Sequence, residues 1–308
     1  MRKLSEEELH DFYQTGLLGK RESMESRRKG LYKYYVLMVV LAVVVIFVAG
    51  KYHQGYAILP GIPLIIVGLL VYLQRKAYRI VYKSEIVAEL VHFINAQWQY
   101  VPNGSLSEEE YWSSGLFTDK YDRFHGEDLI YGVIDKTDFR CSEIHTQKKV
   151  QSGKNSTYHT IFRGLLFHAD FNKHFSGYTY VRPRKIINID IPFFRNKRER
   201  ESIDMENPDF EEHFNVTGTD QHEARYLLTP TIMEAILDLY NRNENPVYIS
   251  FAHNRVYCGV AFNTDLFEPK YFESNLRFED IMILYDIIYL NAVLIHELNL
   301  NTRIWTKE

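Results

Sequence analysis

The sequence predicts an α+β protein: two N-terminal transmembrane helices followed by a cytoplasmic domain of mainly antiparallel sheet with flanking helices. Three observations carry this. Residues 34–50 and 54–74 contain no charged side chain and are dense in Val, Leu and Ile, with basic residues on both sides. Further on, short runs of β-branched and aromatic residues alternate with polar ones between turn residues, and aromatics reach 15 % of the chain, which suits strands and a filled core. The chain then closes on a long apolar helix, residues 278–298.

The domain plan that follows is a cytoplasmic segment (1–33, basic near the membrane), a two-helix transmembrane hairpin (34–74), a helical extension (75–101) and a cytoplasmic α+β domain (102–308). As a helix, residues 34–50 cover ~25 Å, close to a bilayer core once Lys33 and Lys51 reach outward. Two such runs side by side are hard to fit inside a small soluble core, and the first lies too far from Met1 for a cleaved signal peptide. Residues 20–33 hold six Lys or Arg against Glu22 and Glu25, and Arg75, Lys76, Arg79 and Lys83 follow the second run. The turn between the runs offers only Lys51. Positive-inside bias therefore places both termini and the main domain in the cytoplasm, at the inner membrane, with residues 52–55 as an external turn. A net charge of −4 gives no reason to expect nucleic acid as a partner. Cys141 and Cys258 fit a reducing compartment without a disulfide. On this topology the two glycosylation sequons, at Asn155 and Asn215, never meet the modifying machinery.

Taken in order, Ser5-Glu6-Glu7-Glu8 is a capping-box pattern, followed by Leu9, Phe12, Tyr13 and Leu17 at amphipathic spacing. This short helix lies on the membrane or packs on the cytoplasmic domain; its acidic start favours the second. Pro63 sits in the first turns of the second span, where a missing N–H costs least. Beyond it Ala77, Ile80, Ser84, Val87, Val91, Ile94 and Trp98 follow a 3-4-3-4 spacing, predicting one continuous helix to about Trp98, ended by Pro102-Asn103-Gly104. The stripe either docks on its own domain or, as the alternative, pairs two chains in a homo-oligomer.

Strands are expected at 128–135 and 139–146, joined by Asp135-Lys136-Thr137-Asp138, then a polar loop or hairpin tip over 147–157. The strongest strand is 158–171, with Leu165, Phe167, Ala169 and Phe171 on one face. Strands at 177–181 and 186–191 follow, then an exposed loop at 195–209 and a strand at 213–216. Asp220 caps a helix with Glu223 at its third position, and Thr229-Pro230 starts another. Residues 246–251 and 256–263 form a hairpin over His253-Asn254-Arg255. In the closing helix Asp280, Asp286 and Glu297 leave too short an uncharged centre to span a bilayer, which makes it a core helix.

For chemistry, His168 and Asp170 share the strand face opposite Leu165 and Phe167. Read as a solvated face near the helix carrying Arg225, they mark a binding surface: His168, Asp170 and Arg225. With His174, a carboxylate and two imidazoles make a metal set for Zn²⁺ or Mn²⁺. A hydrolase reading adds His222, with Glu223 as base, although Asp220 and Glu223 are equally explained as helix caps. No phosphate loop, nucleophile elbow or catalytic cysteine pattern occurs, so no cofactor is expected and a nucleophilic enzyme has little support.

One ordered set of motifs carries a resemblance. It comprises Gly126-Glu127-Asp128-Leu129-Ile130-Tyr131-Gly132, Phe162-Arg163-Gly164-Leu165-Leu166-Phe167 with Ala169-Asp170-Phe171, and Glu206-Asn207-Pro208-Asp209-Phe210. It continues through Asp220-Gln221, Glu223-Ala224-Arg225-Tyr226-Leu227-Leu228-Thr229-Pro230 and Leu298-Asn299-Leu300-Asn301-Thr302-Arg303. Together these resemble an uncharacterised bacterial two-helix membrane-anchored family of unknown function, sometimes called galanin-like, over residues 85–305. The resemblance implies a membrane anchor and carries over no established activity, cofactor or catalytic residue. From the residues themselves, Gly164 marks a close backbone contact or bulge. The function expected is a membrane-anchored, cytoplasmic-facing binding or regulatory module, its partners the lipid bilayer and a protein or small molecule. The alternative is a metal-dependent hydrolase at the membrane face.

Overall fold

A computed structural model describes residues 3–52, 58–152, 155–171, 175–184, 201–243, 245–274 and 276–297. The architecture is α+β, with two long apolar N-terminal helices and a nine-stranded antiparallel sheet. It forms two compact units: one of residues 4–93 with 267–286, the other of 94–266 with the flanking residues 1–3 and 287–308.

In the first unit, helix α1 (Glu6–Asp11) starts at the expected capping box: Ser5 Oγ accepts from Glu8 N–H and the Glu8 carboxylate accepts from Ser5 N–H. A π-turn follows at Phe12–Gly16. Leu9, Tyr13 and Leu17 are buried, Phe12 stacks on Phe93 at 3.9 Å and Tyr13 Oη donates to the Leu276 carbonyl. The amphipathic segment therefore spends its apolar face on protein.

Helix α2 (Leu18–Lys51) and helix α3 (Ile58–Tyr82) pack on each other and are each long and apolar enough to cross a membrane. The predicted external turn falls largely outside the described residues. A π-turn at Lys83–Val87 leads into α4 (Ala88–Ile94). The buried stripe is Val67, Val71, Tyr78, Tyr82, Ile86/Val87 and Leu90/Val91, while Ile80 and Ser84 face outward. The predicted 3-4 stripe holds at Val87, Val91, Ile94 and Trp98, all buried, and fails upstream at Ala77, Ile80 and Ser84, because the π-turn inserts one residue and puts the two segments out of phase. The helix also ends earlier than expected, at Ile94. The Asn95 side chain accepts from Gln97 N–H, its carbonyl accepts from Trp98 N–H, and Gln99–Val101 becomes strand β1.

In the second unit the remaining strands are β2 (Arg123–Ile134), β3 (Thr137–Ser152), β4 (Asn155–Asp170), β5 (Thr179–Pro183), β6 (Glu201–Ile203), β7 (Phe214–Gly218), β8 (Val247–Ala252) and β9 (Arg255–Ala261). They run in the order β1-β2-β3-β4-β9-β8-β5-β7-β6. The β8–β9 turn is narrower than predicted. His253 and Asn254 both take positive φ between paired Ala252 and Arg255, the two-residue turn whose twist matches its strands. Of the two readings of 147–157, the hairpin tip holds: residues 148–152 and 155–159 pair with each other beyond the ends of β2 and β9. The exposed loop expected at 195–209 likewise contains structure from residue 201 on: β6, and α6 (Pro208–His213) capped by Asn207. The strand expected at 186–191 lies outside the described residues. Helices α7 (Gln221–Leu227) and α8 (Pro230–Asn243) belong to this unit, and the residues of α9 (Phe278–Glu297) are divided between the two units after Asp286.

Gly164 is at φ +152, and a Cβ there would stand 2.0 Å from the Val260 carbonyl oxygen, so only glycine lets β4 approach β9. One face of the central strands carries Phe139, Cys141, Phe167 and Cys258, all buried. Cys141 and Cys258 flank Phe167 on β3 and β9, two strand spacings (~9.6 Å) apart, which is too far for a disulfide. The opposite face, expected to be solvated, is instead covered by α5 (Glu108–Ser113) and the segment after it. Phe117 stacks on Phe162 at 4.4 Å, Tyr111 Oη bonds Thr146 Oγ1, and Ser250 Oγ donates to the Ser114 carbonyl. Each aromatic buried there contributes about 1.5–3 kcal/mol.

Candidate functional site

The cover explains what the sheet's polar residues do. Ser107-Glu108-Glu109-Glu110 is a second capping box, and it fixes Glu110 at the third position of α5. There the Glu110 Oε2 accepts from Ser107 N–H at 2.7 Å, which aims Oε1 at the sheet. Oε1 lies 3.0 Å from His168 Nε2 and 2.9 Å from Arg140 Nε. On the other side of the ring, Arg255 Nε donates to His168 Nδ1 at 2.9 Å and its terminal nitrogen pairs with Asp138 at 2.6 Å. Register produces this convergence: Arg140, His168 and Tyr257 stand opposite one another on β3, β4 and β9.

Arginine has only donors, so Nδ1 of His168 presents its lone pair and the proton sits on Nε2, directed at Glu110. Burial lowers the His168 pKa and keeps the ring neutral. Its hydrogen bond, with help from Ser107 N–H and Arg140, pulls Glu110 down to about 2. The result is a chain of alternating partners, Asp138–Arg255–His168–Glu110–Arg140, in which both imidazole nitrogens are engaged. It clamps α5 to the sheet. His168, 4 % exposed, is therefore an internal tie and not part of a solvated binding face; with no free lone pair it is also not poised to ligate a metal.

The other expected site residues do not gather round it. Asp170 lies on the same sheet face, opposite Arg255 in register, and is half-buried. Arg225 is on α7, where it donates to the Asp204 carbonyl at 3.3 Å. Helix α7 follows β7, and β9, β8 and β5 separate β7 from β4, a span of ~19 Å. His174 lies outside the described residues. His222 is exposed in the first turn of α7. Asp220 caps that helix as expected, accepting from His222 and Glu223 N–H. The Glu223 carboxylate does not return to the cap. It accepts from Ser176 and Gly177 N–H, both at 2.7 Å, and a Cβ on Gly177 would meet it at 2.5 Å. A carboxylate occupied by two backbone donors is a loop anchor, unsuited to the role of general base.

One notable group escaped the sequence reading. Glu143 on β3 is buried and accepts from Leu266 N–H at 3.1 Å. Burial raises its pKa to about 8, and it hydrogen-bonds Asp265, which Arg163 holds ionised at 2.6 Å. A protonated Glu143 donating to an ionised Asp265 satisfies both carboxyls. The only signal in the sequence is a charge in the alternation position of Phe139 and Cys141. Burial pushes both cysteine thiols up, so neither is a nucleophile at neutral pH.

Residues 160–300 match the model of a family described as a protein of unknown function, DUF3137. No curated protein matches the chain. Among solved structures, the crystal structure of the mycobacterial trehalose monomycolate transport factor A, TtfA, aligns at 8 % identity with a TM-score of 0.36, covering 68 % of this chain and 92 % of that one.

Proposed function

We propose that this protein is a membrane-anchored binding or regulatory module, held by the α2–α3 hairpin in the inner membrane with both termini and the sheet domain in the cytoplasm. The observation that supports it most is the burial of the hairpin: in the most apolar stretches of α2 and α3 only 6 % and 11 % of residues are covered by protein. Side chains such as Ile46, Leu59 and Ile65 stand more than two-thirds exposed. Surface of that kind is costly in water and costs nothing in hydrocarbon. The basic flanks at 20–33 and 75–83 support this orientation through the positive-inside bias. The partner is a protein or small ligand, met without catalysis, because the His168 network and Glu223 are consumed by structural bonds. The rim where Asp138, Asp170 and Arg255 reach solvent is the first place to look for it.

Thiol labelling tests the arrangement, with both native cysteines buried. Glu212→Cys, exposed in α6, is expected to react with a membrane-impermeant maleimide only after lysis, and Lys51→Cys to react in intact cells. Labelling of Glu212→Cys in intact cells, or release of the chain by alkaline carbonate, would overturn the reading.

A further inference from the structure

We infer that the cleft between α2 and α3, at the end of the apolar hairpin, binds the anionic headgroup of a phospholipid. The inference rests on the hairpin lying in a bilayer. The cleft encloses about 470 Å³, within the range of small-ligand sites. Arg27, Lys33, Tyr34 and Gln74 supply its polar wall, Leu31 and Leu37 its apolar one. Its α2 wall follows from helical spacing, since Arg27, Gly30, Leu31, Tyr34 and Leu37 recur every three or four residues. Gly30 leaves room: no neighbouring atom lies within 4 Å of where its Cβ would be.

Two features select an anionic lipid. First, the lining carries two cations and no carboxylate. Arg28 is already matched by Glu25 at 2.6 Å and Arg79 by Glu268 at 2.6 Å, whereas Arg27 and Lys33, which line the cleft, make no ion pair among the described residues. A larger groove along the next face of α2 shares Lys33 and adds Arg21 and Lys29, but Glu22 and Glu25 line it too and cancel most of its charge. Second, the cleft continues into exposed apolar ridges, Leu37, Val40 and Val44 on α2 and Leu70 and Ile66 on α3. A phosphate held by Arg27 and Lys33 would thus lead into acyl chains lying along the helices, while Tyr34 and Gln74 offer hydrogen bonds to the glycerol and ester oxygens. A free phosphate would use the cations alone.

The test uses the full chain in a zwitterionic detergent, with native mass spectrometry reading the binding of dihexanoyl phosphatidylglycerol, dihexanoyl phosphatidylcholine and inorganic phosphate. Phosphatidylglycerol is expected to bind in preference to phosphatidylcholine. The double variant Arg27→Gln/Lys33→Gln should lose about 25-fold in affinity for it, at roughly fivefold per cation. Arg75→Gln/Lys76→Gln removes the same charge from side chains that do not line the cleft and should cost less than about fivefold, because without direct contact they act over a longer, partly screened distance. Equal binding of the two lipids, equal losses in the two double variants, or displacement by millimolar phosphate would each overturn the site. Because the assay needs no bilayer, anchoring is judged separately: carbonate release with lipid selectivity intact sinks the anchor, and membrane retention without selectivity sinks the cleft.

Discussion

Helices α3 and α9 are both long and built mainly of Ile, Leu, Val and Tyr, yet they meet opposite surroundings. In α3 Leu59 and Ile65 stand 72 % and 73 % exposed; in α9 Ile281, Ile288 and Ile295, seven residues apart, are fully buried. Apolar content does not separate them. The position of charge does: α3 runs uncharged from Ile58 to Gln74, long enough for a bilayer core, whereas Asp286 interrupts α9 near its middle. A buried polar group makes the same distinction. Asn291 of α9 satisfies itself by donating to the Ile288 carbonyl at 2.9 Å, as a residue inside a protein core must.

Substitution at matched positions is the strongest way to break that contrast. Ile288→Ala is expected to destabilise the sheet domain by about 2–5 kcal/mol through the cavity it leaves. Ile65→Ala should leave denaturant unfolding of the domain within about 0.5 kcal/mol of the parent. Ile65→Asp should instead act on insertion, at a cost of ~2.5–3.5 kcal/mol, and move the chain out of the carbonate-resistant fraction. If Ile65→Ala unfolds the domain as readily as Ile288→Ala, α3 is a core helix and the anchor is lost.

A second contrast lies within the sheet domain, between a His–Glu pair tuned for ionised carboxylate and a carboxyl kept protonated. His168→Ala leaves Glu110 and Arg255 with unmet bonds and should cost roughly 2–4 kcal/mol in chemical denaturation. A catalytic histidine would cost little stability. The folded pKa values of His168 and Glu110 both lie below their unfolded values, so stability falls on acidification, first below pH 6.5 and then between about 4.5 and about 2. Glu143 works in the other direction. Its folded pKa is raised to about 8, so its contribution is complete below pH 4.5 and is lost as pH rises through 8. Glu143→Gln keeps an acceptor for Leu266 N–H and a donor for Asp265. It should stabilise the protein at pH 9, leave pH 5 unchanged, and flatten the alkaline limb of the stability curve. An unchanged alkaline limb would show that Glu143 is ionised in the fold.

These residues also mark how far the sequence could be read. Local signals transferred well. Ser5-x-x-Glu8 and Asp220 announced helix starts, Gly164 announced close backbone approach, and the uncharged runs announced two long apolar helices. Each depends on neighbours in the chain. What depended on residues far apart did not transfer. His168 on an alternating strand reads as solvent-facing, because nothing near it tells that residues 106–121 fold over that face. Ser107-x-x-Glu110 carries the same signature as Ser5-x-x-Glu8 and would have located α5. The partner it delivers, 58 residues away, is visible only once β3, β4 and β9 are in register. The ribbon at 147–157 reads as loop or hairpin tip alike, for a different reason. Its side chains are polar on both faces, which removes the alternation by which strands are recognised.

The smallest expected effects separate adjacent residues of α7. Glu223→Ala removes the acceptor for Ser176 and Gly177 N–H and should cost about 1–2 kcal/mol, while Glu223→Gln, which keeps one acceptor oxygen, should recover part of it. His222→Ala, at an exposed position, should change stability by less than about 0.5 kcal/mol. A hydrolase built on this pair predicts the reverse ordering of consequences. Both substitutions would then abolish turnover, and bound Zn²⁺ or Mn²⁺ measured in the purified full chain would fall with His222→Ala. Two adjacent residues, a carboxylate bonded to two backbone donors and an exposed imidazole, thus decide between an anchor and an active site, and denaturation midpoints of the two variants read the answer directly.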